Sequence, residues 1–171
     1  MPFLSKLFFL VLLFLFFSCE SDSSAELQIS SNQLAWKQNE STYFSNKVQA
    51  SIVFENGNKK LYLSAALESN SEGVLVQLNT NNEDLIGRYP LADNASVMLN
   101  DKREGNLAVF LSKGCKPNKG FIEITDFDEK ASTISGRFEA EVCAQGKFIL
   151  HGNSTVHDGI FKDVKFFATK K

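Results

Sequence analysis

Beyond residue 47, apolar and polar residues alternate with a period of two. Val48, Ala50, Ile52 and Phe54 repeat in KVQASIVF, and Leu61, Leu63, Ala65 and Leu67 in KKLYLSAAL. Between these runs stands Asn56-Gly57, a pair suited to a two-residue hairpin because both positions accept positive φ. The pattern predicts two paired strands. Further strands are predicted over Gly73 to Leu78, Leu85 to Tyr89, Ala95 to Leu99, Leu107 to Leu111, Gly120 to Phe127, Ser132 to Val142, Lys147 to His151 and Ile160 to Phe167, separated by Asn, Asp, Gly and Lys clusters. Beyond the N-terminal apolar run, no window carries a helical apolar period. The expected fold is all-β: an antiparallel meander forming a β-sandwich or flattened closed barrel of about nine or ten strands. Trp36, the single tryptophan, is expected to pack a first strand against the core.

The register of one hairpin can be worked out from its apolar residues. With the turn centred on Glu129, Ile124 opposes Ile134, Ile122 opposes Gly136 and Gly120 opposes Phe138 on one face. Thr125 then meets Thr133, Phe121 meets Arg137 and Lys119 meets Glu139 on the other. Extended outward, the same register brings Cys115 opposite Cys143. Pro117 cannot donate to a ladder, so regular pairing is expected to end near Lys119 and the cysteines to bridge a loop to a strand. A disulfide there would stabilise the fold by roughly 3 to 4 kcal/mol on the chain-entropy model.

The N-terminus has a different pattern. Leu7 to Phe17 is an uninterrupted apolar run of eleven residues, whereas a membrane-crossing helix needs about 20. It follows Lys6 and ends in small and polar residues, the order of an export signal. Phe16-Phe17-Ser18-Cys19 resembles the boundary of a bacterial lipoprotein signal, whose cleavage leaves a lipidated cysteine. Cys19 is the expected anchor, although Phe16 and Phe17 depart from the aliphatic and small residues usual there. Two alternatives are a soluble exported protein cut after Ser23-Ser24-Ala25 and an uncleaved anchor. The lipoprotein reading divides the chain into a removed signal (1–18), a lipidated cysteine with a flexible tether (19–26), and a single β domain (27–171). ESDSSAE, Glu20 to Glu26, is the tether, and its acidic Glu20 and Asp22 look similar to signals that send some Gram-negative lipoproteins to the cell surface.

Without residues 1–18 the chain has 17 basic and 20 acidic residues, a net charge of −3. No basic stripe interleaved with aromatics is present, so nucleic acid is not an expected partner. With Cys19 acylated, Cys115 and Cys143 are the remaining cysteines, in a compartment where disulfides persist.

Candidate chemistry is sparse. His151 and His157, six residues apart, fit no compact metal motif. Asp126-Phe127-Asp128-Glu129 begins like a calcium loop, but the sixth position is Ala131 and the twelfth Arg137, so a hairpin turn is expected. No nucleophile elbow, phosphate loop or Cys-x-x-Cys pair occurs. No metal, cofactor or catalytic residue is expected, and the ligand-binding residues are unknown.

GFIEITDFDEKASTISGRF, HDGIFKDV and, less distinctively, LIGRYPL resemble a family of small uncharacterised β-rich lipoproteins of Gram-negative bacteria, over most of the chain from about Trp36. In that resemblance Gly136 thins a strand where Ile122 packs, and Asp158-Gly159 makes a tight turn opening the last strand. The resemblance implies a fold and an address but no activity. The leading expectation is a noncatalytic binding or structural domain, anchored in the outer membrane through lipidated Cys19, on the periplasmic face or the cell surface, with a protein or glycan partner. The alternative is a β-barrel carrier of a small apolar ligand. Third is an enzyme using His151 or His157 beside a carboxylate.

Overall fold

Alternation along the chain becomes eleven strands and one 3-10 turn in the computed structural model, which describes residues 27–68, 71–103, 105–147 and 152–170. The strands are β1 (Gln33–Gln38), β2 (Ser41–Ser45), β3 (Lys47–Glu55), β4 (Asn58–Ala66), β5 (Gly73–Thr80), β6 (Gly87–Pro90), β7 (Ala95–Arg103), β8 (Asn106–Leu111), β9 (Gly120–Asp128), β10 (Thr133–Ala144) and β11 (Asn153–Lys170). The fold is all-β, as expected. The expected signal, Cys19, the tether and most of the expected strand Lys147 to His151 lie outside the described residues.

One mixed sheet holds all eleven strands in the order β2-β1-β11-β3-β4-β5-β7-β8-β10-β9-β6, and it closes because β11 also pairs with β10. Seven strands form the ring: β11, β3, β4, β5, β7, β8 and β10. Most pairings are antiparallel, but β11 joins β3 in parallel, Phe166 to Lys170 against Ala50 to Phe54. A pure meander is therefore not what forms. Sequence neighbours pair in β1–β2, β3–β4–β5, β7–β8 and β9–β10–β11, while β6 leaves that order to pair with β9 and β11 reaches back to β1 and β3.

The Asn56-Gly57 turn forms as expected, with φ of 51° and 79°, joining Glu55 to Asn58 as directly paired residues. The second hairpin forms in a different register. Gly136 opposes Ile124, Phe138 opposes Ile122 and Ala140 opposes Gly120, so the ladder sits two residues from the expected one. The cause is local: the Asp128 carboxylate accepts the Ala131 backbone N–H at 2.8 Å, Ser132 takes φ of 54°, and a bulge separates Ser135 from Gly136. From Gly136 onward a shift of two residues leaves each side chain on its face, whereas on the turn side of the bulge Ile134 opposes Phe127, which packs against the core. The apolar face therefore survives, although the partners change.

Two expected glycine roles also need correction. Gly136 packs not on Ile122 but against Phe161, whose Cζ would lie 2.6 Å from an added Cβ. Asp158-Gly159 opens no strand, because β11 already begins at Asn153. Asp158 instead takes φ of 51° inside β11, at a place where the β10 register shifts between Phe138 and Ala140. Such bulges bend a strand and add twist, which a closing sheet requires. At Gly159 any Cβ would meet the Phe138 ring at 2.7 Å.

Inward-facing residues fill the ring as one contiguous cluster, with Trp36, Phe110, Phe138 and Phe161 among the largest fully buried side chains. Trp36 occupies the core position expected of it. It stacks on Tyr43 of β2 with centroids 5.3 Å apart and planes within 15°. The Gln38 side chain reaches across from β1 to β7 and donates from Nε2 to Asp101 Oδ2 at 2.8 Å. The β1–β2 hairpin thus lies over one end of the barrel and plugs it.

Removing core volume should be costly where collapse cannot refill it. Phe138→Ala is expected to lose about 3 to 5 kcal/mol, whereas exposed Phe167→Ala should stay within about 0.5 kcal/mol of the parent. Equilibrium urea unfolding of the two variants checks the contrast.

Candidate binding surface

Period-two alternation turns every second residue of the ring outward, and the registers place these residues in rows. Phe167 of β11 opposes Ser51 of β3, Ser51 opposes Tyr62 of β4, Tyr62 opposes Gln77 of β5, and Gln77 opposes Ser96 of β7. Phe167 is 76% exposed and Tyr62 39%. Strands are about 4.8 Å apart, so the two aromatics stand about 10 Å apart with the small Ser51 between them. Beside Tyr62 lies an open cleft of about 200 Å³ across β4, β5 and β7, reaching the loop that carries Asp93 and Asn94. Within it Ser96 Oγ lies 3.3 Å from Gln77 Oε1. Lys60 at its rim is 2.6 Å from Glu55, an exposed pair that holds the ammonium above its ordinary pKa. Lys113 donates to the Asp93 backbone carbonyl at 2.7 Å.

The wall across the barrel has a different character. Its row runs Arg88, Glu123, Arg137, Ile160, Ala35, Phe44 over β6, β9, β10, β11, β1 and β2, with Ala35 buried and Phe44 exposed. Glu123 takes the Arg137 Nε at 2.7 Å and lies 3.8 Å from Arg88, whose guanidinium sits 3.5 Å above the Phe121 ring. Leu27 to Ile29 lies against this wall, between open clefts of about 700 and 330 Å³. In ring order β5 is three strands from the β10–β11 seam in either direction. The Tyr62 cleft therefore faces away from the wall where the described chain begins.

Cys115 and Cys143 form the expected disulfide, with S–S 2.01 Å and Cα–Cα 5.2 Å. Pairing ends where Pro117 implies: β9 begins at Gly120, and Glu141 N–H donates to the Lys119 carbonyl at 3.0 Å. As expected from Pro117, the disulfide joins the loop after β8 to strand β10. Both also group with Glu141 in a metal-like triad, but an oxidised pair offers no thiolate.

His151 lies outside the described residues. His157 is half-exposed, its Nε2 lies 3.0 Å from the Asn39 carbonyl oxygen and its Nδ1 3.4 Å from Asp158 Oδ2. Lys37 is closer to that carboxylate, at 2.7 Å. The Lys37 hydrogen bond, aided by the charges of Lys37 and His157, holds the Asp158 pKa below its ordinary value despite partial burial. His157 is not among the residues lining the clefts above. Asp126 to Glu129 run into the expected hairpin turn.

Sequence reasoning missed Tyr62 and Phe167 as surface residues, though a signal was there. In KKLYLSAAL Tyr62 falls out of phase with Leu61, Leu63 and Ala65, and Phe167 follows the inward Phe166. Large apolar residues on the polar phase mark an outward patch. That both lie on one row required the parallel β3–β11 register.

The class of protein these features define is a closed, filled β-barrel stapled by one disulfide. Residues 27–165 match the family described as a domain of unknown function, DUF6252, and the chain belongs to that family. No curated protein and no solved structure matches it. Among the described residues no helix is long and apolar enough to cross a membrane.

Two measurements test this geometry. Reducing the Cys115–Cys143 bridge, 28 residues apart in sequence, should lower unfolding stability by about 3.5 kcal/mol on the chain-entropy model, read from denaturant curves with and without reductant. For Asp158 the lowered pKa means that the unfolded chain binds more protons than the folded one just below the ordinary carboxylate range. Its contribution is fully present above about pH 4 and is lost as pH falls through the folded value. Lys37→Met should therefore flatten the acid limb of stability between about pH 4 and 2. An unchanged limb would dissociate Lys37 from the shift.

Proposed function

We propose that the protein is a noncatalytic, lipid-anchored domain of the bacterial outer membrane that binds a partner through the β3–β4–β5 wall. The carrying observation is the pairing of a filled interior with an exposed aromatic row whose cleft faces away from Leu27. Seven residues lie between Cys19 and Leu27. At full extension they bridge at most about 28 Å, so acylation of Cys19 would keep Leu27 within that distance of the bilayer. The Tyr62 wall, on the other side of the barrel, would be left free to face outward. The alternative, an apolar-ligand carrier, needs interior space, and Trp36, Phe110, Phe138 and Phe161 occupy it.

Intact mass of the protein extracted from its native membrane is the test. The expected mass is that of residues 19–171 plus acyl groups and minus two hydrogens, unchanged between nondenaturing and denaturing conditions. Cys19→Ser should remove the acyl mass and release the protein into the aqueous phase. An extra mass lost only on denaturation would favour the carrier, and a mass without acyl groups would remove the anchor.

A further inference from the structure

Deepening the binding reading above, on which it rests, we propose that the Tyr62 cleft is a sugar-binding subsite whose ligand is a neutral oligosaccharide. The cleft places an exposed aromatic ring beside polar groups of mixed character. Among the residues lining it, Gln77, Asn79 and Asn94 carry amides, Ser96 and Tyr62 hydroxyls, and Asp93 a carboxylate. Apart from the Gln77–Ser96 contact, no side-chain hydrogen bond engages the amides of Asn79 and Asn94 or the Asp93 carboxylate among the described residues. Amides carry donors and acceptors together. That set matches a sugar ring, which offers hydroxyls at its edge and an apolar C–H face to stack on Tyr62.

Other ligand classes fit less well. An extended peptide binds by adding to an open strand edge, but β4, β5 and β7 are each paired on both sides. An anionic ligand needs uncommitted cations, whereas Lys60 is held by Glu55 and Lys113 by the Asp93 carbonyl. A volume of about 200 Å³ lies below the roughly 300 Å³ at which pockets for larger ligands begin. It suits a single ring. Phe167, about 10 Å along the same row, supplies a second stacking surface that one ring cannot reach from the cleft. The ligand is therefore an oligosaccharide lying across Phe167, Ser51 and Tyr62.

The test titrates cellohexaose, maltohexaose and N-acetylchitohexaose, each to about 10 mM, where even weak sites fill, into the full-length protein in detergent, followed by calorimetry. At least one hexasaccharide should bind saturably. Tyr62→Ala should weaken it roughly five- to tenfold, and Gln77→Ala should weaken it as well, with thermal midpoints near the parent's. Phe167→Ala should weaken the hexasaccharide while leaving the corresponding disaccharide unaffected. Failure of all three sugars to bind, or binding indifferent to both Tyr62→Ala and Phe167→Ala, would overturn the subsite. Because the intact mass is measured separately, an acylated protein that binds no sugar would lose this proposal but keep the tethered binding domain. A sugar-binding protein without acyl groups would do the reverse.

Discussion

Strand β11 closes the barrel by pairing with β10 on one side and with β1 and then β3 on the other. A curled sheet leaves two edges with unsatisfied backbone groups unless some strand joins them, and the 18-residue β11 does so. One side of it takes β10 along most of its length. The other takes β1 antiparallel over Val156 to Lys162, then β3 in parallel over Phe166 to Lys170. A straight strand of that length could not follow a closed ring. The positive φ of Asp158 and Asp163 and the register shifts opposite them supply the bends. Asp163 is fixed there by side-chain bonds from Ser31 and Ser135, and its backbone N–H donates to Ser135 Oγ at 2.9 Å.

Closure in turn decides what fills the barrel. Where β9, β10 and β11 come close, Gly136 and Gly159 leave room for the rings of Phe161 and Phe138, and any larger residue would displace an aromatic at the centre of the core. At one end the β1–β2 hairpin folds Trp36 and Tyr43 over the opening. The Trp36 indole nitrogen has no partner among the described residues, so packing has to offset the cost of burying it unpaired. An interior held this tightly leaves recognition to the outer surface. There the two walls differ: one is laced by the Arg88–Glu123–Arg137 network and ends in exposed Phe44, while the other sets Tyr62 and Phe167 beside the amides of Gln77, Asn79 and Asn94.

Which residues face in and which face out was legible along the chain, because alternation reads directly as the two sides of a pleated strand. Leu61, Leu63 and Ala65 are buried and Tyr62 is not, all of it visible in KKLYLSAAL. The Asn56-Gly57 turn was legible for the same local reason, since φ is set by the residue itself. The cysteine pairing was legible by composition, because two cysteines were left after Cys19 was assigned. Register was not legible. Alternation fixes a pairing only to the nearest even shift, and Ile122 is as well buried opposite Phe138 as it would have been opposite Gly136. What selected the observed ladder was the Asp128 turn and the bulge at Ser135, a balance of backbone bonds that apolar spacing does not record. The parallel contact of β3 with β11 joins residues more than a hundred positions apart, and no local pattern marks it. The common row of Phe167 and Tyr62 follows from that contact, closure from it together with the β10–β11 pairing, and the plug from the β1–β11 pairing. They are set in three dimensions, since each depends on which distant strand satisfies a free edge.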